Sequence, residues 1–282
     1  MSKLSAYIKI IRPINCVMID FAIIIGAIIS TGLSLPLIPT IFGLITGFSI
    51  TAASMVLNDY VDLPVDRINA PTRPLPSGQI SPRAALIYYF FLSIIGVASS
   101  YFINIYTFFV AFGYWILASL YDLKLKKTGF LGNLIVSASV GIPFVFGGLI
   151  VSINVPTLAL IFFSIAFLAN TGREIIKGIV DVEGDKVKNY KTIAVRYGRS
   201  MASKIGALFI FSAVALSIIP YLWSLAGYVY LLVVGLSDAY FLYLAVKIIR
   251  TPTKEVAYRV KNKILIAMLI ALLAFTLIPF TP

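Results

Sequence analysis

The chain contains no histidine, and its 282 residues include a single cysteine, Cys16. Without histidine there is no Ser-His-Asp triad, no imidazole metal ligand and no imidazole general base. One thiol inside an apolar stretch excludes a disulfide framework and a thiolate metal centre. Charge is scarce too: Asp and Glu number 11 against 23 Lys and Arg, and charged residues of both signs make up only 12% of the sequence. Whatever chemistry the chain performs falls to a handful of carboxylates, the surrounding cations and the ligands they hold.

Apolar residues, by contrast, make up 60% of the chain, with a mean hydropathy of +0.99. That exceeds what a soluble core uses, and the expected fold class is all-α, a multi-pass membrane protein. Apolar runs approach the roughly 20 residues a spanning helix needs. They predict nine transmembrane helices, near 14–32, 37–57, 83–102, 106–121, 130–150, 156–177, 203–221, 227–249 and 263–279. No linker or low-complexity tract divides the chain, so 1–282 reads as one membrane domain. The first apolar run follows Arg12-Pro13 and is too long for a cleaved leader, so none is expected.

The basic residues support this count. All Lys and Arg fall within 3–12, 67–83, 124–127, 173–204 and 247–263, while the connections near 30–36, 103–106, 151–155 and 222–226 carry none. Nine spans and the positive-inside rule then place every basic group in the cytoplasm, with the N-terminus inside and the C-terminus outside the cell membrane. The net charge of +12 reflects topology and anionic headgroups rather than a nucleic-acid partner.

Six of the 11 acidic residues lie in two short segments: Asn58-Asp59-Tyr60-Val61-Asp62-Leu63-Pro64-Val65-Asp66 and Asp181-Val182-Glu183-Gly184-Asp185. Each follows an even-numbered predicted helix and opens a long polar connection, 58–82 or 178–202. That pattern suggests two helical halves, each offering an acidic edge to a shared cavity. The spacing sets Asp59, Asp62 and Asp66 on one helical face, and Pro64 predicts a kink or an end there. Asn170, Glu174, Lys177, Asp181 and Asp185 form a stripe that a continuous helix would point one way, toward protein or a wet cavity. Glu183 falls off that face and reads as a solvated or supporting carboxylate. Lys186, Lys188 and Lys191 read first as a headgroup-facing patch. Asp20 and Asp238, inside apolar helices, read as structural hydrogen-bonding groups, with a cavity role as the alternative.

Grouped carboxylates repel one another unless a cation holds them, and the fitting guest is Mg²⁺ carrying a phosphate or diphosphate. Asp59, Asp62, Asp66, Asp181 and Asp185 are therefore the candidate Mg²⁺ ligands, with Asn58 beside them. An allylic diphosphate suits a protein without histidine. Once its leaving group is neutralised, the remaining carbocation is stabilised by resonance and a hydroxyl or electron-rich ring attacks it without a strong base. Arg67, Arg73, Lys124, Lys126, Lys177, Lys186 and Arg196 supply candidate cations. Tyr60, Tyr121 and Tyr190 are placed to flank a carbocation.

These residues also carry a resemblance. Asn58-Asp59-x-x-Asp62-x-x-x-Asp66-x-x-Asn69-x-Pro71-x-Arg73-Pro74 with Ser77-Gly78-x-Ile80-Ser81 is similar to the first signature of the UbiA superfamily of intramembrane prenyltransferases. Asp181-x-x-x-Asp185 with Lys191-Thr192-Ile193-Ala194-Val195-Arg196-Tyr197-Gly198 resembles its second. Tyr121 with Lys124-x-Lys126 resembles the element between them, and Arg12-Pro13-x-Asn15 resembles the start of the first helix. The resemblance implies nine helices in a bundle around a lipid-open cavity with cytoplasmic caps, Mg²⁺ dependence and a prenyl diphosphate donor. It implies catalytic roles for Asp59, Asp62, Asp181, Asp185 and Lys124. It further implies substrate contacts for Arg12, Asn15, Asn58, Asp66, Arg67, Arg73, Tyr121, Lys126, Asn170, Lys177 and Lys186.

Within the superfamily the form Asp-Val-Glu-Gly-Asp is most similar to the archaeal ether-lipid branch. That branch moves a geranylgeranyl group onto the free glycerol hydroxyl of geranylgeranylglyceryl phosphate, a lipid-phosphate acceptor. Aromatic quinone precursors and chlorin-type acceptors remain alternatives on the same fold. From other classes, an ion-coupled transporter predicts carboxylates at the bilayer midplane, and a CDP-alcohol phosphotransferase requires Asp-Gly and Ala-Arg elements that are missing here. Small residues at Gly26, Gly43, Gly47, Ala53, Gly141, Gly147 and Gly148 are expected to allow close helix packing or to leave room for a prenyl tail.

Overall fold

The computed structural model describes residues 3–187 and 189–278, the side chain of Asn69 aside; Lys188 of the predicted basic patch lies outside the described residues. These residues form helices and no strand: α1 (Lys3–Ile10), α2 (Pro13–Thr31), α3 (Leu37–Val61), α4 (Leu63–Asn69), α5 (Pro82–Tyr101), α6 (Ile105–Leu123), α7 (Phe130–Val151), α8 (Thr157–Val180), α9 (Val182–Val187), α10 (Ile193–Ser217), α11 (Ile219–Leu222), α12 (Tyr228–Arg250) and α13 (Lys254–Leu277). Nine helical stretches among the described residues are long and apolar enough to cross a bilayer, with α10 and α11 forming one of them. The protein is an all-α, multi-pass membrane protein.

Two predicted starts need correction. The seventh and ninth spans begin at Ile193 and Lys254, about ten residues before the predicted 203 and 263. Charged first turns hide them from hydropathy, whereas the caps mark them: Thr192 and Thr253 accept from the backbone N–H groups of Val195 and Val256. Gly198, at φ 81° and ψ 167°, breaks α10 after its first turn. Elsewhere caps and spans agree. Ser81 caps α5 ahead of Pro82, and Asn104 closes a capping box with Thr107 on α6.

The helices gather into two compact units, 1–124 with 146–155 and 125–145 with 156–282, so α7 contributes to both. In the first, α3 packs against α5, α2 and α6. Its core is built around Ala52, Ala53, Val56, Leu57 and Ala85, small or branched residues that let helices approach closely. In the second, α8 lies against α10 and α13. Gly172 and Gly206 make the α8–α10 approach possible, since a Cβ on Gly172 would sit 2.6 Å from the Gly206 carbonyl oxygen. Phe162 and Phe275 stack at 3.7 Å, with Tyr230 beside them.

Four of the small residues serve the close packing expected of them and leave no room for a tail. A Cβ at Gly43 would strike Ile150, one at Gly47 would strike Ile23, one at Gly141 would strike Phe163, and one at Gly147 would strike the Ile23 carbonyl. An open apolar groove of about 470 Å³ lies instead between α5 and α6, lined by Phe90, Ile94, Phe108, Phe112 and Trp115 among others. The two intramembrane acids differ: Asp238 is hydrogen-bonded, whereas Asp20 Oδ1 is buried without a hydrogen-bond partner among the described residues. Asp238 accepts a hydrogen bond from Ser217 Oγ at 2.7 Å. Asp20 lies against Gly47, where a Cβ would fall 2.8 Å from its Oδ1.

Candidate active site

In the first unit the acidic segment sits where α3 ends. Asp62 caps that helix at φ −80° and ψ 0°, and its carbonyl accepts the backbone N–H groups of Val65 and Asp66 at 2.9 and 2.8 Å, which starts α4 with Pro64 in its first turn. The predicted break at Pro64 is therefore a junction of two helices, which spreads three carboxylates over two elements. Asp59 and Asp66 are 2% and 7% exposed, and Asp62 is half-buried.

Buried carboxylates this close require cations, and two guanidiniums supply them. Arg12, held in the left-handed region at φ 50° between α1 and α2, places Nη2 2.5 Å from Asp59 Oδ1. Arg73 places Nη1 2.6 Å from Asp66 Oδ2 and 3.8 Å from Asp59 Oδ1. Arg12 and Asn15 both reach Met55 Sδ, so the start of α2 is fastened to the last turns of α3. The turn 70–81 that carries Arg73 is closed by its own backbone bonds and by Ser77 Oγ donating to the Arg73 carbonyl at 2.7 Å. Arg67 on α4 and Lys124, which caps α6, are exposed, and Tyr121 is half-buried on the last turn of α6.

Sequence reasoning missed one acid of this unit. Asp122, on the last turn of α6, is 4% exposed. Asn58 Nδ2 donates to its Oδ1 at 2.9 Å, and Ser54 Oγ donates toward its Oδ2 at 3.4 Å. A signal was available: a carboxylate in the last turn of an apolar helix opposes the helix dipole, so it needs a local reason to be there.

In the second unit the predicted stripe is not continuous. α8 stops at Val180, Asp181 follows as an exposed cap, and α9 begins at Val182. The stripe therefore divides. Asn170 and Glu174 are buried on α8, where Asn170 Nδ2 donates to Ser137 Oγ at 3.3 Å. Glu174 is held by Arg173 at 2.7 Å and Lys177 at 3.0 Å. Asp181 and half-buried Asp185 lie beyond the break, joined by the Asp185 N–H donating to the Asp181 carbonyl at 2.8 Å. Lys186 is exposed and Lys126 half-buried. The link 189–192 is seated by Lys191 N–H on the Lys127 carbonyl, and a Cβ at Gly129 would collide with the Lys191 carbonyl.

Glu183 is solvated, as expected from its offset. It pairs with Arg199 at 2.5 Å and Lys254 at 3.8 Å. Its carboxyl is held below the usual range first by a backbone hydrogen bond and then by Arg199, Lys254 and Lys186. A lowered carboxyl favours the fold above its ordinary range and loses that effect as pH falls through the lowered value. The pair is at the surface, so Glu183→Gln is expected to shift the thermal midpoint little and to leave turnover at neutral pH within about twofold of wild type. A large loss of turnover with the fold intact would move Glu183 into the site.

The donor set is oxygen only, and among the described residues no three acidic, His or Cys side chains converge to enclose an ion by themselves. Mg²⁺ is suited to this. It retains waters and is held by one or two carboxylates together with substrate phosphates rather than by a protein cage.

The UbiA prenyltransferase family pattern matches residues 20–278. A digeranylgeranylglyceryl phosphate synthase of Thermococcus sibiricus is 34% identical over 276 residues, covering 98% of this chain and 97% of that protein. A solved digeranylgeranylglyceryl phosphate synthase structure superposes with a TM-score of 0.88 at 34% identity, covering 99% of both chains. A UbiA homologue from Archaeoglobus fulgidus, solved with DMAPP and Mg²⁺, shares the fold with a TM-score of 0.73 at 21% identity, over 98% of this chain and 99% of that one. By sequence pattern, near-complete coverage and fold, the chain belongs to the UbiA prenyltransferase family.

Proposed function

We propose that the protein transfers a geranylgeranyl group from geranylgeranyl diphosphate to the free glycerol hydroxyl of geranylgeranylglyceryl phosphate, as a Mg²⁺-dependent step of ether-lipid synthesis in the cell membrane. The observation that carries the acceptor is the end-to-end likeness to proteins whose name states that product. Membership of the family leaves the transporter and phosphotransferase readings without support. The basic groups face the cytoplasm in this reading, with the N-terminus inside and the C-terminus outside.

Asp59, Asp62 and Asp66 in the first unit and Asp181 and Asp185 in the second are the proposed Mg²⁺ ligands. Bound Mg²⁺ neutralises the charge that develops on the departing diphosphate. Arg12 pairs with Asp59, and Arg73 pairs with Asp66 while also lying near Asp59. Each guanidinium has five N–H donors, enough to hold a carboxylate and still reach a phosphate oxygen. Lys124 is assigned to the leaving group, and Asn15, Asn58, Arg67, Tyr121, Lys126, Asn170, Lys177 and Lys186 to substrate contacts. As the C–O bond to diphosphate breaks, the acceptor oxygen forms the new ether bond. Its proton leaves afterwards from a strongly acidic oxonium, so no histidine is needed.

The test is direct. Purified protein in detergent with Mg²⁺ and radiolabelled geranylgeranyl diphosphate is offered geranylgeranylglyceryl phosphate or an aromatic acid. A doubly prenylated glyceryl phosphate is expected, and prenylation of the aromatic acid instead would overturn the acceptor assignment. Two phosphorylated substrates need more fixed positive charge than one. Removing charge at Arg67, Lys126 or Lys177 is therefore expected to raise acceptor KM about tenfold at one position or more, with a smaller fall in kcat. If every such variant moved only the donor constants, the phosphorylated acceptor would lose its support.

A further inference from the structure

We propose that Asp122 is a positioning residue for the reaction: it fixes the side-chain amide of Asn58 so that the carbonyl oxygen, and never the amide nitrogen, faces the Mg²⁺-diphosphate. The argument rests on what each group is able to accept. An ionised carboxylate has acceptors only, whereas an amide presents a donor end and an acceptor end that are nearly the same size. Asn58 meets Asp122 with Nδ2 at 2.9 Å. Reversed, the amide would set its carbonyl oxygen against a carboxylate oxygen, two acceptors with no proton between them. The orientation is thereby fixed, with nitrogen toward α6 and Oδ1 away from it.

The carboxylate is itself held. It is 4% exposed, and its second oxygen takes Ser54 Oγ at 3.4 Å. Ser54 and Asn58 lie four residues apart, one turn of α3, so Asp122 grips the inner face of the turn that leads into Asp59 and Asp62. Asn58 and Asp62 are also four apart and share a face. The fixed Oδ1 therefore adds a neutral hard oxygen beside Asp62, the kind of ligand Mg²⁺ accepts without further like-charge repulsion. The pattern parallels metal sites in which an outer carboxylate orients the ligand rather than touching the metal.

The inference rests on the Mg²⁺-diphosphate reading of this segment, and the test separates the two. Asp122→Asn keeps shape but offers a donor as well as an acceptor, so Asn58 is free to adopt either orientation. Mn²⁺ binding in the presence of geranylgeranyl diphosphate, read by electron paramagnetic resonance on folded protein in detergent, is expected to weaken about tenfold, with kcat/KM for the donor falling by a similar factor. In an Asn58→Ala background the same change is expected to weaken Mn²⁺ binding by no more than about twofold further, because its effect on the metal runs through Asn58. A folded Asp122→Asn protein whose Mn²⁺ constant stays within about twofold of wild type overturns the inference. Asp122→Ser, which retains an acceptor in a smaller volume, is the second variant. If neither variant folds, Asp122 is a packing residue and the inference is equally overturned. A wild-type protein that binds no Mn²⁺ and transfers no prenyl group instead defeats the reading on which the inference stands.

Discussion

Asp62→Ala is expected to lower prenyl transfer about 10²–10³-fold while the protein stays folded, the loss that follows when one preorganised contact to developing charge is removed. Asp62 is an informative choice because its backbone bonds at the α3–α4 junction survive the change. Its N–H donates to the Asn58 carbonyl at 2.9 Å, and its carbonyl accepts from Val65 and Asp66. Alanine keeps these backbone bonds and removes the carboxylate, and the thermal unfolding curve reports any structural loss that goes with it. Asp181 offers the same separation in the second unit. It caps α8 through backbone bonds to Lys177 and Asp185, while its side chain is exposed. Asp59 is a poorer probe, since alanine there would leave the Arg12 guanidinium without its carboxylate. The measurement is kcat at saturating Mg²⁺ together with a thermal unfolding curve. Near-normal turnover in Asp62→Ala and Asp181→Ala, alongside wild-type turnover that survives a chelator, would remove the metal assignment.

What the sequence disclosed and what it concealed follow from the range of the interactions involved. Hydropathy is a sum over neighbours, so nine spans could be counted. It failed at Ile193 and Lys254, where charged first turns lower the sum although Thr192 and Thr253 already cap a helix. Pro64 disclosed the end of α3 because its effect is local. The break at Asp181 has no such marker, and the stripe of Asn170, Glu174, Lys177, Asp181 and Asp185, spaced by three or four, reads as uninterrupted. Contacts distant in sequence were not legible at all. Arg12 meets Asp59 across 47 positions and Asn58 meets Asp122 across 64. Arg12 therefore reads from sequence as a substrate contact alone, and Asp122 carries no role there. The Gly43, Gly47 and Gly147 positions show the same limit, because composition does not say whether a neighbour fills the space a glycine leaves.

Removing Arg73 should be the largest stability loss among charge-removing changes in the first unit. Asp66 and Asp59 are almost wholly buried, and Arg73 Nη1 lies 2.6 Å from the one and 3.8 Å from the other. Breaking a fully buried ion pair from one side costs 3–5 kcal/mol, but the Arg73 side chain is 40% exposed and solvent screens part of the effect, so about 1–3 kcal/mol is expected for Arg73→Ala. Most of that loss would come from the carboxylates left behind rather than from the bond removed. Asp66→Asn in the Arg73→Ala background should therefore recover part of the thermal midpoint, because an amide tolerates burial better than an unpaired carboxylate. Arg12 remains on Asp59 in both variants, which confines the comparison to Asp66. Arg73→Lys should fall between wild type and alanine, since an ammonium on a flexible stem supplies the charge without the planar fork. Thermal unfolding of the four proteins in detergent decides the matter. An Arg73→Ala protein that melts with wild type, or an Asp66→Asn change that deepens the loss, would show that Arg73 is not what makes two buried carboxylates tolerable at the end of α3.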